Sequence, residues 1–85
     1  LLDRARGALK RRDTTAALAA LDEHRRDFHD GALVAEAEVV RIEALIQAKN
    51  HTAARTAAES FLARFPKSPL VRRVRSLVEN LKETP

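Results

Sequence analysis

The sequence predicts an all-α fold: a short right-handed solenoid of helical hairpins, two helix pairs followed by a C-terminal capping helix. Three observations lead there. The chain matches itself at an offset of 37 residues: Thr15-Ala16-Ala17 falls on Thr52-Ala53-Ala54, Ala20 on Ala57, Phe28 on Phe65 and Leu33 on Leu70. Similar residues fill the gaps, with Leu9 over Ile46, Asp13 over Asn50 and Asp22 over Glu59. A period between about 20 and 50 residues marks stacked repeats. Apolar residues also recur at three- and four-residue spacing, the helical period. Finally, alanine is the commonest residue and the only aromatics are 3 phenylalanines, a mix that suits packed helices better than strands.

Leu2, Ala5, Ala8 and Leu9 give the first helix one apolar stripe. Asp13 is placed as the N-cap of the second helix, its carboxylate accepting from free backbone N–H groups. That helix is expected from about Thr14 to Phe28, with Ala17, Leu18, Leu21 and Phe28 inward, and Asp30-Gly31 as the break. The third, about Ala32 to Ala48, carries two stripes: Leu33, Ala37, Val40, Ala44 and Ala48 on one side, Val39, Ile42 and Ile46 on another. A helix apolar on two sides is buried between neighbours. Asn50 repeats the capping role of Asp13, and Thr52 to Phe65 forms the fourth helix through Ala54, Ala57, Ala58 and Phe61. Pro66 ends it, having no N–H to donate. Ser68-Pro69 opens the fifth, serine as N-cap and proline at the first helical position. Leu70, Val71, Val74, Leu77, Val78 and Leu81 form its single stripe, and Arg72, Arg73, Arg75, Ser76, Glu79 and Asn80 its wet face. One face in and one face out is the pattern of a terminal cap. The expected organisation is a single domain over 1–85, with repeat 1 about 1–31, repeat 2 about 32–68 and the capping helix about 69–82.

The bulk numbers narrow the class of function. With 85 residues, 45% hydrophobic and 33% charged, the chain has the balance of one globular domain. It has no cysteine, so disulfides and thiolate chemistry are excluded. No apolar run reaches the roughly 18 residues that a membrane span needs. The chain starts at Leu1 rather than methionine and reads as a piece of something longer. The net charge is +4, distributed as two basic ends around the acidic Glu36, Glu38 and Glu43. No catalytic constellation is visible, because the serines have local or exposed roles and the three glutamates form no close pair. His24 and His29 are five apart, which does not put them on one helix face as a metal pair would be, so surface or helix-end histidines are expected. No cofactor or metal site is expected.

The second helix of each repeat carries a family likeness. Asp13-x-x-x-Ala17-x-x-x-Leu21 and Asn50-x-x-x-Ala54-x-x-x-Ala58-x-x-Phe61, with Pro66 twelve residues beyond Ala54, resemble the second half of a tetratricopeptide repeat (TPR). The phrase Phe61-Leu62-Ala63-Arg64-Phe65-Pro66-Lys67-Ser68-Pro69 is similar to a variety of that repeat found in bacterial envelope proteins. The sequence departs from the family where Leu1 and Glu38 replace its early aromatic, His29 its first proline, and Arg12 and Lys49 its glycine. Its period of 37 also exceeds the family's roughly 34 residues.

The resemblance implies a non-catalytic protein–protein interaction or scaffold module in a bacterial envelope or signalling protein, which would place it in the periplasm or cell envelope. The partner would be another protein or the remainder of the parent chain. It would lie on the face lined by the first helix of each pair, with Glu36, Arg41 and Glu43 central and Arg4, Arg11, Arg72 and Arg75 flanking. Two alternatives stay open: a basic helical domain touching nucleic acid through Arg72-Arg73-x-Arg75, and homo-oligomer formation through apolar surface at Leu1-Leu2.

Overall fold

A computed structural model describes residues 2–27 and 32–82. They form five α-helices, α1 (Leu2–Lys10), α2 (Thr14–Asp27), α3 (Ala32–Gln47), α4 (His51–Arg64) and α5 (Val71–Lys82), and no strand occurs among the described residues. Leu1, Phe28, His29 and the Asp30-Gly31 break lie outside them.

The turns that join α1 to α2 and α3 to α4 are built alike, 37 residues apart. Asp13 N–H donates to Ala8 O at 2.8 Å and Arg12 N–H to Leu9 O at 3.0 Å; Asn50 N–H donates to Leu45 O and Lys49 N–H to Ile46 O, both at 2.9 Å. This double closure satisfies the last carbonyls of the first helix and needs a left-handed residue at its centre. Arg12 and Lys49 fill that place, at φ 60° and 62°. The next residue caps the following helix, since Ala16 N–H donates to Asp13 Oδ1 at 3.1 Å and Ala53 N–H to Asn50 Oδ1 at 3.3 Å. Gln47 ties the end of α3 to the first turn, donating to Leu9 O at 3.0 Å and accepting from the Thr14 hydroxyl at 2.8 Å.

Ser68 acts as a cap, its hydroxyl accepting from Leu70 N–H at 3.1 Å. The α-helix nevertheless starts at Val71 and not at Pro69. Val71 N–H reaches back only three residues, to Ser68 O, so the chain makes a tight turn before the first α-type bond, Val74 N–H to Leu70 O.

The core follows the same period. One cluster joins Leu2 and Ala5 of α1, Ala20 and Leu21 of α2, and Ala37 and Val40 of α3. Thirty-seven residues on stand Val39, Ile42, Ala57, Ala58, Val74 and Leu77, all of which belong to the second cluster or pack against it, together with Phe61. Between them Ala8, Ala17 and Ala44, one from each of α1, α2 and α3, are fully buried and let the three helices approach closely. The third helix contributes to all three clusters, with Ile42 and Ala44 at 0% exposure.

Two expectations on α3 are corrected. Ala48 is exposed in the turn beyond the helix, and Leu33 is 52% exposed, while Val34 and Ala35 are buried. Leu70, the repeat partner of Leu33, has Val39 and Val40 beside it. Leu33 belongs to none of the three core clusters, whereas Leu70 packs against the second. His24 is corrected too. It lies in the last turn of α2, but buried at 4% exposure rather than on the surface. It occupies the repeat position of Phe61, so its ring fills core volume.

Candidate functional site

The first, third and fifth helices share one face, and a groove of about 220 Å³ runs along it, lined by Arg6, Glu36, Val39, Val40, Glu43, Leu70 and Arg73. The chain builds it from helix periodicity. Glu36 and Glu43 are seven residues apart, two turns along one side of α3. Val39 and Val40 lie between them with most of their surface in the core, at 4% and 3% exposure. Leu70 comes from the turn that Ser68 holds in place.

Each glutamate is ion-paired across the groove wall. Arg6 Nη2 of α1 donates to Glu36 Oε2 at 3.2 Å, and Arg73 Nη2 of α5 donates to Glu43 Oε2 at 2.5 Å. Both pairs are partly exposed, so each contributes at most about 1 kcal/mol to stability. Their placement carries more information than their strength. Adding 37 to Arg6 and Glu36 gives Glu43 and Arg73: the same inter-helix contact is made twice, with its signs exchanged. The groove therefore has a charge-balanced rim over an apolar floor.

Of the residues expected at the site, Glu36 and Glu43 are in the groove and the other five are not. Arg41 is two residues from Glu43, about 200° around the helix. It points toward α2, donating to Asp22 Oδ1 at 2.8 Å, beside Arg25, which donates to Glu38 at 3.0 Å. Arg4 pairs with Glu23 of α2 at 3.1 Å. Arg11 is exposed and reaches back toward Gly7. Arg72 and Arg75 stand on the outer side of α5, lining a separate depression with Ser68, Pro69 and Val71. Sequence reasoning missed Arg6 and Arg73 as groove residues. The signal was present, because both ion pairs span 30 residues and map onto each other by the repeat.

Among the described residues no three metal-ligating side chains gather, and no helix is long and apolar enough to cross a membrane. Comparison with protein-family models, with curated proteins and with solved structures finds no match to this chain.

Proposed function

We propose that this chain is a non-catalytic interaction module, a right-handed stack of two tetratricopeptide-like helix pairs closed by α5, that receives a protein segment in the α1–α3–α5 groove. The observation that carries the reading is the doubled ion pair, Arg6–Glu36 and Glu43–Arg73. A contact that recurs at the sequence period is what translation of one structural unit produces. The matching turns at Arg12 and Lys49 and the flat outline of 34 × 30 × 17 Å fit the same stack.

The faces of α1 and α5 suit the ends of such a stack. Val39, Ile42 and Ala35, which turn α3 toward the second cluster, correspond on α5 to Ser76, Glu79 and Arg72. Ala37, Val40 and Ala44 turn α3 toward the first helix pair, and the α1 counterparts of Val40 and Ala44 are Asp3 and Gly7. Leu2 is buried at 7% exposure, which removes it as open apolar surface for self-association.

A balanced rim gives a charged partner no net attraction, so the affinity comes from an apolar side chain set against half-buried Leu70, with only the small exposed edges of Val39 and Val40 beneath it. The Phe-Pro-x-Ser-Pro resemblance supports a bacterial envelope or signalling parent protein, with its other parts as alternative occupants of the groove. Displayed random 12-residue peptides selected on the intact chain test the site. Leu70→Glu is expected to weaken the selected peptides at least about tenfold with the helical fold retained, while Arg26→Glu on α2 leaves them within about twofold. Equal binding to both variants would remove the groove as the contact surface.

A further inference from the structure

The positive charge is segregated by the fold. Residues 2–27 hold seven cationic side chains against five carboxylates, residues 32–48 one against three, and residues 49–82 eight against two. Six ion pairs then neutralise most of α1, α2 and α3, and Arg73 is the only member of any pair that comes from beyond residue 48 among the described residues. Among the described residues, exposed Arg55, Arg64, Lys67, Arg72 and Arg75 have no carboxylate partner. Three of them adjoin. Arg75 borders a depression with Arg72 and Ser68, and also a second one with Arg55, Leu62 and Val78, so the cations run from α5 onto α4. The second depression also holds Glu59 and Glu79, which makes the Arg72–Arg75 end the more positive.

We propose that this α4–α5 face, separate from the groove, binds the phosphate backbone of duplex nucleic acid without reading its sequence. Arginine forks suit phosphate oxygens, and backbone contacts require only cations at phosphate spacing. The other polyanions fit less well. An acidic polypeptide would set its apolar anchors against Leu62 and Val78, in the depression that Glu59 and Glu79 also line, and those two carboxylates repel its own. Single strands need aromatic platforms, but of the phenylalanines among the described residues Phe61 is buried and Phe65 is half-buried under the Arg64 guanidinium, 5.0 Å from its ring centre. Anionic bilayers reward an inserted apolar stripe, and that of α5 is committed to the core through Val74 and Leu81.

Fluorescence anisotropy of the intact chain with a labelled duplex of about 20 base pairs, from about 20 to about 300 mM salt, tests this directly. Binding is expected at low salt, falling with a log–log slope near −3 if about three phosphates are neutralised. Arg72→Glu with Arg75→Glu should lower the affinity more than about tenfold and flatten the slope, whereas Lys10→Glu with Arg12→Glu changes it less than about threefold. Arg72→Gln with Arg75→Gln serves as a milder pair should the reversal disturb folding. The proposal is overturned by no binding at low salt, by equal loss from the Lys10–Arg12 pair, or by polyglutamate or phosphatidylserine vesicles held as tightly as the duplex.

Discussion

Ile42→Ala is expected to destabilise the fold by about 2–5 kcal/mol, read as a shift in the urea midpoint at unchanged m-value. Ile42 is fully buried and belongs to the cluster that joins α3 to α4 and α5. Its neighbours Ala58, Phe61 and Val74 come from two other helices, so collapse onto the lost methyl groups would require both to move. Much of the cavity should therefore persist, which puts the cost toward the upper part of the range. Against a total of roughly 4–13 kcal/mol for a domain of this length, that is a large share. Leu33→Ala on the same helix provides the contrast. Being 52% exposed, Leu33 should cost about 0.5 kcal/mol or less on truncation.

A gain of stability is expected at the two turns. Arg12 and Lys49 hold left-handed backbone angles, which cost a residue with a Cβ roughly 1–2 kcal/mol. Glycine removes that strain but loses more chain entropy on folding, about 0.5–1 kcal/mol, leaving a small net benefit at each turn. Both side chains are exposed and neither forms an ion pair among the described residues, so nothing else is lost. The double variant Arg12→Gly, Lys49→Gly is expected to be more stable by about 1–2 kcal/mol, a rise of several degrees in Tm at this size. A fall in Tm would mean that the two residues do not adopt these angles in solution.

Much of this architecture is legible in the residues. The 37-residue offset, the caps at Asp13 and Asn50, and the burial of Val39 and Ile42 follow from spacing and side-chain chemistry, and the structure places them so. The wet face of α5 is likewise as expected, with Arg72, Arg73, Arg75, Ser76, Glu79 and Asn80 all exposed. The site was read less well for a physical reason. A helix can be amphipathic by pattern, yet which neighbour each charged side chain meets depends on the rotation of that helix about its axis. The charge pattern alone groups Arg41 with Glu36 and Glu43 and does not separate Arg4 from Arg6, whereas the rotation turns Arg41 and Arg4 toward Asp22 and Glu23 of α2. The repeat carries a signal for Arg6, the counterpart of Glu43, but none against Arg41, whose counterpart is Arg4. His24 has such a signal too: its counterpart Phe61 is a core residue, and the histidine is buried accordingly.

Native-state amide hydrogen exchange tests the central place of α3 most directly. If α3 is packed between the α1–α2 pair and α4–α5, its amides from about Glu36 to Ile46 should exchange only through global unfolding, more slowly than those of α1 and α5. Exchange across α3 as fast as in those two outer helices would contradict the arrangement.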